Sequence, residues 1–171
     1  MTMAMTMKHA PLAAVMGLLG GALMAPAQAD TDTQSFNVNL TVTSTCDIHT
    51  VAATDVKFGS RKSTEGTVTA EGKLTVNCTN GTPYQIGLDN GANYAGGSRN
   101  MKSAAGDTVA YTLWQDAGWT QSWGNTQDTD TLQRVGTGAA QDFAVYGQAA
   151  LSSQNLKAAS YEDVVTATVT Y

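Results

Sequence analysis

The chain has 171 residues, 9 Lys plus Arg against 14 Asp plus Glu, 17 Gly, 3 Pro and 2 Cys. Residues 1–29 hold six of the seven Met and one charge, Lys8, whereas residues 30–171 hold every carboxylate and set eight basic against fourteen acidic side chains, a net of −6. This excludes the basic face a nucleic-acid binder needs to displace counterions and a polybasic patch for anionic lipid; one His and two Cys in the later part are too few for a zinc site of these ligands alone.

The opening segment reads as a cleaved secretory signal. Lys8 and His9 supply the positive end, Leu12 to Met24 the apolar stretch, and Ala27-Gln28-Ala29 a small-x-small cleavage site that puts the mature N-terminus at Asp30. The apolar run of about 13 residues contains Gly20 and Gly21 and is followed by Pro26, so it falls short of the roughly 20 residues a transmembrane helix requires. Export sets how the cysteines are read. In an oxidising compartment Cys46 and Cys78 form a structural disulfide rather than two thiols, and no CxxC suggests redox chemistry.

Beyond the signal, apolar residues alternate in short Thr-rich runs separated by Gly, Asn, Asp and Ser, which predicts an all-β domain. Phe36, Val38, Leu40 and Val42 form the first run, then Leu74, Val76 and Cys78, then Tyr84, Ile86 and Leu88. Asn80-Gly81 between the second and third predicts a hairpin turn, with Pro83 entering the next strand. Val109, Tyr111 and Leu113 follow, opposite Ala110, Thr112 and Trp114; then Phe143 and Val145; and finally Val165, Ala167, Val169 and Tyr171, opposite Thr166, Thr168 and Thr170. Residues 89–107 and 116–131 read as long loops. No mature segment sustains a helical period, so the expectation is one sandwich or barrel.

The chain offers little chemistry. His49 is the one candidate base of the mature part, no Gly-x-Ser-x-Gly presents a nucleophile, and Gly136-Thr137-Gly138-Ala139-Ala140-Gln141 lacks the third small residue of a dinucleotide fingerprint. Asp89-Asn90-Gly91 and Asp128-Thr129-Asp130 lack the full ligand spacing of a calcium loop and fit turn chemistry equally. The reading is of a protein that is no enzyme and uses no cofactor or metal. The aromatic residues Tyr94, Tyr111, Trp114, Trp119 and Trp123 fit either a stacking surface or a core that caps one end of a sandwich.

An ordered set of segments resembles the spore coat U domain family. Cys46 is followed by Val56-Lys57-Phe58-Gly59, then Leu74-Thr75-Val76-Asn77-Cys78-Thr79-Asn80-Gly81-Thr82-Pro83-Tyr84 and Leu88-Asp89-Asn90-Gly91. Arg99-Asn100-Met101, Tyr111-Thr112-Leu113-Trp114-Gln115-Asp116, Trp123-Gly124, Val145-Tyr146-Gly147 and the ending Tyr161 to Tyr171 continue in the family's order. The match covers nearly all of 36–171; Ala159-Ser160 stands where the family often has Ala-Gly. The family includes pilins of the archaic, Csu-type chaperone–usher pathway and secreted coat proteins.

The resemblance implies an incomplete immunoglobulin-like β-sandwich, completed first by a periplasmic chaperone and then, at an outer-membrane usher, by the N-terminal extension of an identical or related subunit. It divides the chain into a cleaved signal (1–29), an N-terminal extension with the donor strand (30–45) and a pilin domain (46–171). Under it Phe36, Val38, Leu40 and Val42 are the donor residues, although the same alternation suits a first strand in the chain's own sheet. Val165, Ala167, Val169 and Tyr171 become the edge strand that a chaperone grips. The function implied is a surface fibre for adhesion and biofilm formation; a secreted coat protein or a carbohydrate-binding adhesin module is the alternative.

Overall fold

In the computed structural model, residues 28–152 and 154–171 are described. The signal segment expected at 1–29 therefore lies, except for Gln28 and Ala29, outside the described residues. The chain divides into two units, Met1–Asn39 and Leu40–Tyr171. Residues 28–39 of the first carry neither strand nor helix, and Phe36 and Val38 are each 85% exposed.

The second unit holds eight strands and, among the described residues, no helix: β1 Cys46–Asp47, β2 Thr67–Cys78, β3 Pro83–Leu88, β4 Arg99–Lys102, β5 Thr108–Trp114, β6 Leu132–Val135, β7 Ala140–Ala150 and β8 Ala167–Thr170. All pairings are antiparallel, in a five-stranded sheet of order β1-β2-β7-β5-β4 and a three-stranded sheet of order β6-β3-β8. Period-two alternation turns Leu74, Val76, Val109, Leu113 and Val145 inward from the larger sheet, and Tyr84, Ile86, Leu88 and Leu132 from the smaller. Trp123 closes the core between them, fully buried, its indole Nε1 donating to Ile86 O at 2.8 Å. A buried indole requires such an acceptor.

Cys46 and Cys78 form a disulfide and are opposite each other in the β1–β2 ladder. Beside it Thr79 N donates to Thr45 O at 2.9 Å, and Thr45 N to Thr79 Oγ1 at 3.1 Å. The chain upstream of β1 is thus fastened to the end of β2. Leu40 and Val42, just before this clasp, are 88% and 72% exposed and belong to no strand.

The hairpin expected at Asn80-Gly81 does not form: β2 and β3 lie in different sheets. Thr82 N donates to Thr79 O at 3.1 Å, and of the two central residues Gly81 alone has a positive φ, 78°. That is a type II turn, whose twist does not match a two-residue hairpin; it serves instead as an arch from one sheet to the other. The expected loop 89–107 contains β4, paired with β5. Arg-Asn-Met-Lys shows no apolar alternation because the residue it buries is polar: Asn100 Nδ2 donates to the Ala95 and Ser98 carbonyls at 3.2 and 2.9 Å. β6 was likewise hidden, since only Leu132 of its four residues is buried.

An open groove beside the C-terminal strand

β8 ends the three-stranded sheet. Asp89 N donates to Thr166 O at 2.9 Å and Ala92 N to Val164 O at 3.0 Å. In an antiparallel ladder bonded pairs alternate, so this phase makes Gly87–Thr168 and Gln85–Thr170 the bonded pairs. The backbone N–H and C=O groups of Val165, Ala167 and Val169 consequently face away from β3, along an edge where no strand pairs among the described residues. Their side chains are half-buried, while Thr166, Thr168 and Thr170 point to solvent. Tyr171, 61% exposed, ends the chain beyond the strand.

Below this edge is a cavity of about 1390 Å³. One lip is the segment 156–167; the other is 53–63, attached to β2 through the Thr54–Lys73 bridge. The floor is the core itself: Val68, Leu74, Leu88, Val109, Leu113 and Val145 all line it. A sandwich of this size has no reason to leave its apolar interior open unless something covers it.

Two strand glycines set the second lip. A Cβ on Gly72 would lie 2.6 Å from Thr54 O and 2.9 Å from Val56 Cγ2; one on Gly147 would lie 2.5 Å from Val56 Cγ1 and 3.0 Å from Phe58 Cζ. Both glycines clear room for Val56 and Phe58 to pack on the sheet, the close approach that glycine inside a strand commonly marks.

A polar network sets the first lip. The Tyr111 hydroxyl donates to Asp163 Oδ2 at 2.6 Å, and Asn93 donates to Asp163 Oδ1 from both its backbone N and Nδ2 at 3.0 Å. Asp89 Oδ1 accepts from Thr166 N and Gly91 N, each at 2.9 Å. Arg99 spends its guanidinium on the carbonyls of Leu88 and Asp89 at 2.7–2.8 Å. Burial opposes ionisation of Asp89, but the Thr166 and Gly91 amides and the Arg99 charge outweigh it and hold its carboxyl below the ordinary value. Burial, then the bond to Asp163, pushes the Tyr111 phenol up. Upstream, Lys102 and Glu162 exchange backbone bonds at 2.8 and 3.2 Å, so the same lip crosses from β4 in one sheet to β3 in the other.

The remaining candidates have structural explanations. His49 is exposed and its amide caps on Asp47 Oδ1. Asp128 Oδ1 accepts from Gln85 Nε2, and Asp130 Oδ1 from Thr126 N, which is turn chemistry. Gly136 to Gly138 connects β6 to β7. Among the described residues no group of three or more His, Cys, Asp or Glu gathers as a metal site, and no helix is long and apolar enough to cross a membrane. The aromatic residues split: Tyr111 and Trp123 are core, Trp114 and Trp119 lie half-buried outside it, and Tyr94 is 48% exposed.

The Spore Coat Protein U domain model matches residues 32–168. The chain belongs to this family. Protein U of Myxococcus xanthus is 32% identical over 174 residues, covering 94% of this chain and 96% of that protein. Among solved structures, the chaperone–tip adhesion subunit pre-assembly complex CsuC–CsuE, from the archaic chaperone–usher Csu pili of Acinetobacter baumannii, aligns with a TM-score of 0.55 at 23% identity over 77% of this chain. The chain spans 40% of the length of that protein. The P pilus rod subunit PapA aligns with a TM-score of 0.50 at 15% identity, over 74% of this chain and 98% of its own. The fold is the incomplete immunoglobulin-like sandwich of pilus subunits, as the resemblance implied.

Proposed function

We propose that this protein is an exported structural subunit that polymerises by donor-strand exchange into a cell-surface fibre serving adhesion and biofilm formation. The observation that carries the reading is the unpaired edge of Val165, Ala167 and Val169 above an open apolar groove, in a chain whose own residues 36–42 present an exposed, alternating apolar segment. An extended strand laid along such an edge gains ladder bonds from the backbone and pockets for every second side chain. Phe36, Val38, Leu40 and Val42 of one copy fill the groove of the next. Before assembly a periplasmic chaperone lends a strand to the same edge and contacts Tyr171, and an outer-membrane usher exchanges it. The division into signal (1–29), extension (30–45) and pilin domain (46–171) follows from this use. Nothing in the cycle calls for catalysis or a cofactor.

A synthetic peptide of residues 34–44, added to the unpolymerised full chain, should raise its melting temperature and suppress fibre growth, whereas a peptide with Val38→Asp should do neither. Equal effects of the two peptides, or none from the first, would overturn the reading. A second reading, a secreted coat protein, is favoured by the family's description and the Protein U relative. It uses the same exchange but deposits a shell, which immunogold electron microscopy separates from fibres.

A further inference from the structure

The outward face of the five-stranded sheet carries a second feature that strand exchange does not use. In the β2–β7–β5 register, Tyr146 sits between Glu71 and Trp114, and in the next row Gln148 sits between Thr69 and Thr112. These side chains point away from the core, because their neighbours Val145, Ala149 and Leu113 point into it. Trp119 reaches this row from the loop after β5, its ring 6.1 Å from that of Tyr146 at 82°.

The loop is built to hold Trp119 there. Its φ is 57°, a conformation that bulky residues seldom adopt. Asp116 maintains it, accepting from Trp119 N through its carbonyl and from Thr120 N, Thr120 Oγ1 and Gln121 N through its carboxylate. Glycine would take this position without strain, and Gly118 is one residue away. The tryptophan is therefore tolerated against backbone preference, on a face where the core gains nothing from it.

The polar groups around the rings are unspent. The indole N–H of Trp119, the Tyr146 hydroxyl, the Gln148 amide and the Glu71 carboxylate make no hydrogen bond with any described residue. The adjacent Lys73 and Asp142 neutralise each other at 2.9 Å, so Glu71 is the one uncompensated charge of the row. The two rings stand nearly perpendicular and share no flat platform, so a single ring face flanked by free amide, hydroxyl and carboxylate groups is what matches the amphipathic chemistry of a sugar ring, apolar on its C–H faces and hydrogen-bonding round its rim. The carboxylate disfavours an acidic polymer.

We infer that this sheet face binds a neutral polysaccharide, with the Trp119 indole stacking on a sugar ring and the Tyr146 hydroxyl, Gln148 and Glu71 bonding to its hydroxyls. The test is retention of the full chain on cellulose, chitin and dextran, with soluble alginate as competitor. At least one neutral polymer should retain the protein, and alginate should not displace it. Trp119→Gly should weaken retention at least tenfold while leaving the melting temperature equal or higher, since glycine relieves the positive φ. Gln148→Ala should weaken it without altering the fold. The inference is overturned if no neutral polymer retains the chain, if alginate competes as well as the neutral sugar, or if Trp119→Gly binds unchanged. It is also overturned if Trp119→Gly mainly lowers the melting temperature or abolishes self-association, because the row is then packing or a contact between copies. Fibre growth, which uses the groove, should persist in Trp119→Gly, so this result and that of the strand-exchange reading are separable.

Discussion

The Tyr111 hydroxyl, on the inner face of β5, donates at 2.6 Å to Asp163, two residues before the alternating edge of Val165 to Val169 and four before β8 begins at Ala167. A core residue of one sheet thereby fixes the path of the strand that borders the groove in the other. Removing the hydroxyl should release the lip without emptying the core.

Tyr111→Phe is expected to cost about 1.5–3 kcal/mol, the range for a hydrogen bond to a charged group. Amide exchange should quicken at Ala92 and Thr166, whose N–H groups bond to Val164 O and Asp89 Oδ1, more than at Val76 or Ile86, because the lip opens locally before the sandwich unfolds. Uniform quickening across the core would show that the bond serves global stability alone.

Acid should act on the same lip through Asp89. Its folded pKa is lowered, so it contributes stability in full above the ordinary aspartate value of about 3.9 and loses it as pH falls through the lower folded value. Melting temperature should therefore decline below about pH 4, and Asp89→Asn should be less stable at neutral pH yet less acid-dependent. Asp142, lowered by its bonds to Thr75 and Lys73, and Asp116, lowered by the Gln121 and Thr120 donors, titrate in the same direction from exposed positions, so the variant keeps a residual slope. An unaltered acid limb in Asp89→Asn would refute its part.

How much of this was legible differs by element. The inward residues of β2, β3, β5 and β7 announce themselves by alternation, because both sheets bury one face and leave the other wet. The Cys46–Cys78 bond follows from export and a pair of cysteines. The turn at Asn80-Gly81 misleads because Asn-Gly serves type I′ and type II turns alike, and only the φ of Asn80 separates hairpin from arch. The groove itself is hidden: an absent strand leaves no residues to read, and Val165, Ala167 and Val169 alternate like any strand buried on one face. Gly72 and Gly147, inside otherwise regular strands, were the available signal that Val56 and Phe58 pack there.

The disulfide joins Cys46, a few residues after 36–42, to β2, so in the proposed fibre any pull on residues 36–42 would pass through Cys46 into the sheet. Cys46→Ser with Cys78→Ser should destabilise the subunit by about 2–5 kcal/mol. Where it still folds, its fibres should break under shear that leaves wild-type fibres intact. Wild-type protein with free thiols after secretion, or mutant fibres of equal strength, would remove this role.

The extension decides between the two uses of Phe36, Val38, Leu40 and Val42. These side chains are 72–88% exposed, so within the subunit they contribute little burial. Inserted into a neighbour's groove, each is worth roughly 1.5–3 kcal/mol, or about 6–12 kcal/mol gross for the four. Ordering the backbone offsets about 1–2 kcal/mol for each residue fixed, and ladder bonds along Val165 to Val169 add to the favourable side. Val38→Asp would place a carboxylate in an apolar groove with no partner, a cost that exceeds what one apolar side chain contributes. The substitution should therefore abolish fibres while the secreted subunit keeps its disulfide, its melting temperature and its capture by a chaperone. Were residues 36–42 an ordinary strand of the subunit's own sheet, the same aspartate would unfold it before any assembly step. Circular dichroism of the purified variant, alongside electron microscopy of cells expressing it, reads both quantities from one preparation: a folded subunit without fibres assigns the segment to a neighbouring copy, and an unfolded one returns it to its own sheet.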